Sequence, residues 1–207
     1  MTINLYNTDC MQALREMSDN QYDLAIVDPP YGLLESGAHT HTTTHTKGKK
    51  YARELKHWDI KPPREYFDEL RRVSKNQIIF GMNYFMDMLP PSRCYVVWDT
   101  CTRGLGFSQC ELAWASFPEM CKYIRVNKTQ INRIHRCQKP VQLYEWILQN
   151  YAKQGDRILD THLGSGSIAV ACHTMGYSLD AYEIDAEYFA AASARLHEHQ
   201  RQIKLFT

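Results

Sequence analysis

Six short apolar runs, each closed by turn residues, recur along the chain: INLY near residue 3, YDLAIV ending at Val27, NQIIFG ending at Gly81, YVVW ending at Trp98, RILD ending at Asp160 and LDAYEI ending at Ile184. Runs this short and this uniformly apolar read as strands buried on both faces. Helical patterns with their own punctuation lie between them. Pro62 and Pro63 open one around EYFDELRRV, Pro140 opens VQLYEWILQNYAK ahead of Gly155, and Asp185 caps a long one through AEYFAAASARLHEHQ. Strand and helix in alternation predict an α/β fold with a mostly parallel central sheet flanked by helices. A length of 207 residues suits one domain over 1–207 with a sizeable core.

Charge narrows the field of functions. With 24 Lys and Arg against 23 Asp and Glu, the formal charge of +1 excludes a uniformly basic nucleic-acid coat, so any nucleic-acid affinity must be local. Seven cysteines, odd in number, scattered and without a C-x-x-C pair, fit free thiols in a reducing cytoplasm and argue against a structural zinc site. The N-terminal MTINLYNTD lacks a basic flank and apolar run, and no stretch reaches the length of a membrane span. The expectation is a soluble cytoplasmic protein with no membrane contact, its oligomeric state open and a homodimer included.

Two segments break the alternation. Residues from Glu35 to His57, with HTHTTTHT followed by KGKKYARELKH, are polar and too long for an ordinary connection, which predicts a mobile loop at about 35–57. Residues from Lys122 to Lys139 carry six basic side chains and no acidic one, the one clear charge asymmetry in the chain.

The segment Asp160-Thr161-His162-Leu163-Gly164-Ser165-Gly166-Ser167 follows the RIL run and precedes a helical pattern that stops at Gly176. Gly164 and Gly166 allow a tight backbone turn against a ligand, and the helix start offers unpaired N–H groups. Glu183 closes the next strand 23 positions after Asp160, close to the spacing at which an acidic side chain meets ribose hydroxyls in nucleotide-binding β-α-β units. A nucleoside-bearing cofactor is the functional reading; a glycine turn without a ligand is the bland one.

Asp28-Pro29-Pro30-Tyr31 directly follows the strand DLAIV. The bland reading is that the prolines end the strand and Tyr31 packs on the surface. Yet two successive prolines remove two backbone donors and fix φ, so the corner presents a carboxylate and carbonyl oxygens beside an aromatic face. Such a corner suits an amino group on a flat conjugated ring, with acceptors for the N–H bonds and a ring to stack on.

The quartet DPPY, the D-x-x-x-G-S-G segment with Glu183 downstream, and the opening N-x-D-C resemble the amino-directed DNA methyltransferases that use S-adenosylmethionine. The catalytic motif precedes the cofactor turn, which resembles the permuted beta class. The resemblance implies a Rossmann-like methyltransferase fold with a circularly permuted motif order. It implies that Asp28, Pro29, Pro30 and Tyr31 are catalytic, with Asp28 and the Pro29 carbonyl accepting from the target amine and Tyr31 stacking on the base. It further implies a cofactor site of Asp9, Cys10, Asp28, Lys139, Asp160, His162, Gly164, Ser165, Gly166, Ser167, Glu183 and Ile184, with Glu183 on the ribose and Asp9 and Cys10 near the adenine. Asp9 equally suits an N-cap for CMQALREM, Lys139 a solvated side chain before a helix proline, and His162 a merely packed ring.

The reaction implied is transfer of a methyl group to the N6 amine of adenine in DNA; an Asp in first position leans towards adenine, since Ser is commoner among cytosine-amino enzymes of this family. Cytosine-N4 methylation is the alternative, followed by an RNA or other amine acceptor and by a nicotinamide-dependent oxidoreductase, which leaves DPPY unexplained. Ring-carbon methylation of cytosine would call for a Pro-Cys dipeptide, and the chain has none. DNA must then be held and a base turned out of its stack. The basic segment, as a short target-recognition insert at about 119–138, offers Lys122, Arg125, Lys128, Arg133 and Arg136 for DNA, and the loop after Tyr31 offers Lys47, Lys49, Lys50 and Arg53. The insert's bland reading is a solvated basic hairpin. His39, His41 and His45 form no preorganised ligand set, and no metal is expected.

Overall fold

The computed structural model describes residues 1–32, 59–104, 108–128, 134–135 and 137–204. The expected loop at about 35–57, with its lysines, arginine and histidines, lies outside the described residues. In chain order the elements are β1 (Ile3–Tyr6), α1 (Cys10–Glu16), β2 (Tyr22–Val27), α2 (Arg64–Val73), β3 (Ser74–Phe80), a short 3₁₀ turn (Met82–Tyr84), β4 (Tyr95–Asp99), β5 (Cys110–Ala115) and β6 (Lys122–Arg125). They continue with α3 (Val141–Tyr151), β7 (Arg157–Asp160), α4 (Ser167–Met175), β8 (Ser178–Tyr182) and α5 (Ala186–Lys204).

The eight strands form one sheet in the order β1-β8-β7-β2-β3-β5-β4-β6. Among the described residues only β5 runs antiparallel, to both β3 and β4; the remaining pairings are parallel. Alternate residues of the central strands serve opposite faces, as the pleat requires. Leu24 and Ile26 of β2 pack with Leu143 and Ile147 of α3 and Ile168 of α4. Ala25 and Val27 pack with Leu14 of α1 and Phe67 and Leu70 of α2. Each fully buried aliphatic side chain contributes about 1.5–3 kcal/mol relative to exposure, which is why the runs are apolar without alternation.

The sheet order explains how motifs far apart in sequence meet. β7 leads through α4 to β8 on one side, while β2 leads through α2 to β3 on the other, and β2 lies beside β7 with Leu24 opposite Ile158 and Ala25 opposite Leu159. The strand order therefore reverses between β7 and β2. A crevice opens at such a point outside the carboxyl ends of the strands, where open α/β sheets bind ligands. Asp28 and Asp160 stand at that edge.

Two strands escape the sequence expectation. β5 holds a charge and an exposed cysteine in six residues, and β6 is only KYIR, so neither shows a clean apolar run. β6 also makes the first four residues of the basic segment part of the sheet rather than an insert. Strand ends shift by a residue or two: β8 closes at Tyr182, and Glu183 and Ile184 lie just beyond it. Pro63 and Pro140 stand at the N-cap positions of α2 and α3 rather than one place inside. Among the described residues no helix is long and apolar enough to cross a membrane.

Candidate active site

The carboxyl end of β2 delivers the DPPY quartet into the crevice. Tyr31 does not lie free on the surface: its hydroxyl donates to Asp28 Oδ1 at 2.6 Å. Its ring stacks on Tyr84 at 4.7 Å and 16° and meets the edge of Phe85 at 5.9 Å. Gly81, just past β3, has φ +74°, and a Cβ there would stand 2.2 Å from Tyr31 Cε1. Only glycine fits that contact, so the ring is pinned between the β3 terminus and Tyr84. Tyr84, 37% exposed, covers the face that the sequence assigned to a base. Burial first, then Asp28 and Glu111, push the Tyr31 phenol well above its ordinary range.

The other oxygen of Asp28, Oδ2, accepts from the Lys139 ammonium. Lys139 precedes α3 and is only 4% exposed. Its Nζ is also 3.7 Å from Glu111 Oε2 and 4.6 Å from the centroid of the Phe80 ring. Glu111 Oε1 in turn accepts from Lys128 Nζ. Parity explains the grouping: Leu24, Ile26 and Asp28 point to one sheet face, and Glu111 points with Ala113 and Ala115 to that same face. Burial works against the Lys139 charge, but Asp28 and Glu111 outweigh it and hold the ammonium above its ordinary value. Lys139, expected at the cofactor, thus grips the Asp28 carboxylate.

Across the crevice, β7 ends in Asp160, and Gly164 and Gly166 adopt φ of +53° and +71°. Gly166 is the N-cap of α4, and a Cβ there would press on Ala192 at 3.1 Å. The Glu183 carboxylate ties the turn to the end of β8, accepting from Gly164 N at 2.8 Å and Asp185 N at 2.9 Å. Burial raises the Glu183 acid while those backbone donors oppose the shift. Each carboxylate oxygen retains a lone pair for a ligand. Burial pushes Asp160 up to about 8, against the hydrogen bond from His162 N at 3.0 Å. Burial also lowers His162 to about 4, which leaves a neutral imidazole.

That ring is more than packing. His162 Nδ1 is 2.9 Å from Thr161 Oγ1, which is 2.6 Å from the Tyr66 hydroxyl, and Cys10 Sγ is 4.0 Å from His162 Nε2. The start of α1 and the glycine turn therefore share one wall. Burial, with Asp9 adding to it, pushes the Cys10 thiol up to about 12, so it is no nucleophile. Asp9 caps α1, its Oδ1 accepting from Met11 N at 2.8 Å. Ser165 and Ser167 turn inward: Arg195 Nη1 donates to Ser165 O and Ser167 Oγ, both at 2.9 Å. Ile184 is 62% exposed beside Glu183, and Asn7 Nδ2 donates to the Glu183 carbonyl at 2.7 Å. His135 flanks the turn, its ring 3.8 Å from where a Gly164 Cβ would stand.

The candidate DNA contacts divide. Lys122 pairs with Glu119 at 2.8 Å and lies 4.5 Å over the Tyr151 ring, and Lys128 is engaged by Glu111. Arg125 is exposed at the end of β6, 3.9 Å from Asp99 Oδ2, which also accepts from Tyr123 at 2.8 Å. Lys47, Lys49, Lys50, Arg53, Arg133 and Arg136 lie outside the described residues. Glu111, Gly81, Tyr84, Tyr66 and Arg195 adjoin the site and are not singled out by the sequence, whereas Asn7 opens the N-x-D-C run. The one sequence signal among the former is the acidic residue within a strand at Glu111, which Asp23 in β2 and Asp180 in β8 share.

The chain is similar to several known proteins. Residues 97–194 match the N6/N4 methyltransferase family model, described as DNA methylase. The type II methyltransferase M.HpaI of Haemophilus parainfluenzae is 25% identical over 245 residues, covering 95% of this chain and 74% of that protein. The crystal structure of an M1.HpyAVI–SAM complex superposes with a TM-score of 0.63 at 18% identity, covering 94% of this chain and 99% of that one. PvuII DNA methyltransferase, cytosine-N4-specific, superposes with a TM-score of 0.63 at 12% identity, covering 98% and 93%.

Proposed function

We infer that this chain is a DNA methyltransferase of the N6/N4 type, which its likeness to that family model and to M.HpaI supports, and that it methylates the N6 amine of adenine in DNA with S-adenosylmethionine as methyl donor. The observation that carries the base assignment is Asp28 at the head of the quartet, anchored at one oxygen by Tyr31 and at the other by Lys139. An anchored carboxylate and the donor-free Pro29 carbonyl together form a rigid acceptor pair for an exocyclic NH2.

The residues suit the cofactor. Glu183, held by two backbone donors with lone pairs to spare, fits ribose hydroxyls; Gly164 at positive φ keeps the turn tight; exposed Ile184 gives an apolar edge for a nucleobase. When bound, S-adenosylmethionine supplies a methyl group on a positively charged sulfur. Asp28 and the Pro29 carbonyl would orient the amine by accepting its N–H bonds, leaving its lone pair free for that methyl group, and the proton the nitrogen gives up would pass to solvent. Asp28 need only accept hydrogen bonds during attack, because the amine becomes acidic once methylated. Lys139, buried and lying over the Phe80 ring, helps keep water from the Asp28 carboxylate.

Incubating DNA with labelled S-adenosylmethionine and separating its nucleosides tests this assignment. N6-methyladenine is expected, and Asp28→Ala should cost at least roughly 100-fold in turnover while cofactor binding persists. N4-methylcytosine as the product would overturn the adenine assignment; near-normal turnover of the variant would overturn the role of Asp28.

A further inference from the structure

We propose that Glu111 is a positioning residue for methyl transfer: it shares the Lys139 ammonium with Asp28 and keeps the catalytic corner electrically neutral, so that positive charge can develop on the target amine. The inference rests on the methyltransferase reading and deepens it. Four charged groups form a chain through the corner: Asp28, Lys139, Glu111 and Lys128. Their formal charges cancel.

Lys139 is buried, at 4% exposure, so its partners rather than water must balance it. With Asp28 as sole partner, the ammonium would hold that carboxylate fully, and the methylated nitrogen would meet a site already satisfied. Glu111 Oε2, 3.7 Å from Lys139 Nζ, offers a second anchor towards which the ammonium can lean as the amine presses on Asp28. An ammonium has three donors, so it can serve both acids at once. Glu111 reaches this point because β5 runs antiparallel: Phe80 of β3 faces Ala113, which carries Glu111 two residues further towards the edge where β2 ends.

The groups facing Lys139 are Asp28 from the end of β2, Glu111 from β5 and Cys137 from the preceding segment, with Asp160 acting from the end of β7. Lys128 acts from behind Glu111, and Tyr31 from behind Asp28. Removing the Glu111 charge leaves two ammonium groups against Asp28. A corner of that charge opposes a nitrogen that becomes cationic during attack. It also lowers the affinity of Lys139 for its proton, because one of the two carboxylates that raise it is gone.

Glu111→Gln, nearly isosteric and still able to accept from Lys128, is expected to lower kcat roughly 10- to 100-fold, less than removal of a group touching the charge directly. The KM for cofactor should not change. The alkaline limb of the kcat profile should move to lower pH, and 13C NMR of ε-labelled lysine in the free protein should show Lys139 losing its proton at lower pH. The double variant Glu111→Gln/Lys128→Met restores neutrality and should recover part of the loss. Wild-type kcat and pH limb in Glu111→Gln would overturn the proposal, as would a loss that the double variant does not recover. Glu111→Asp keeps the charge and should keep the wild-type limb; a limb displaced as far as in Glu111→Gln overturns the proposal even if the Gln variant is unstable. Absence of methyl transfer by the wild type would instead be a failure of the assigned function.

Discussion

Asp28 and Asp160 stand at the ends of adjacent parallel strands, on the same edge and the same face of the sheet, and the protein treats them in opposite ways. Asp28 carries a phenol on one oxygen and a buried ammonium on the other. Asp160 receives a backbone N–H from His162, and burial prevails, raising it to about 8. Lys139 forms its hydrogen bond with only one of these two acids. The proline corner is built around a paired carboxylate. The glycine turn is built around an acid that is mostly protonated at neutral pH and can therefore donate as well as accept.

The largest effect that can test this contrast is the pH dependence of stability at Asp160. An acid whose folded value is raised from 3.8 to about 8 contributes its full stability below pH 3.8 and loses it as pH rises through 8. At pH 8 the penalty is on the order of a few kcal/mol. Asp160→Asn, which mimics the protonated acid, should therefore gain stability relative to wild type between about pH 4 and 8 and match it below. Urea unfolding at a series of pH values measures this. A constant difference across that window would mean that Asp160 is charged in the fold and that the contrast with Asp28 is false.

The second test strikes at the Asp28 side. Gly81→Ala places a Cβ 2.2 Å from Tyr31 Cε1 at a backbone of positive φ, so the tyrosine must leave its place against Asp28. The expected cost is about 1–3 kcal/mol of stability from backbone strain alone, with turnover falling too. Combining it with Tyr31→Ala, which removes the obstructing ring, should give a strongly non-additive cycle, with coupling of roughly 0.5–3 kcal/mol. Additive energies would show that Gly81 does not pin the ring.

What the chain reveals without a structure follows the same division. The quartet after β2 and the glycine turn after β7 were legible because each is contiguous, with strand, turn and chemistry in one short run. The pairing of Lys139 with Asp28 and Glu111 was not, because it depends on three separate segments meeting through the sheet order. Glu111 was hidden in a strand whose apolar positions are interrupted by that very charge, and Gly81 read as a simple strand end until Tyr31 was found against it. Lys122 and Lys128 looked available for phosphate, since their partners Glu119 and Glu111 lie outside the all-basic stretch. Composition of a segment says little about its free charge when neighbouring strands can neutralise it.

The smallest effect concerns a third aspartate. Asp9 sits on the wall shared with the glycine turn, yet its Oδ1 is occupied by Met11 N. A cap of this kind contributes about 1 kcal/mol, and serine replaces aspartate there with little loss. Asp9→Ala should therefore lose about 1 kcal/mol in urea unfolding, while Asp9→Ser retains wild-type stability and, by calorimetric titration, wild-type affinity for S-adenosylmethionine. If Asp9→Ser kept its stability but bound the cofactor more weakly, the carboxylate would touch the ligand itself. Asp9 would then be a ligand contact first, and helix capping would be its secondary task.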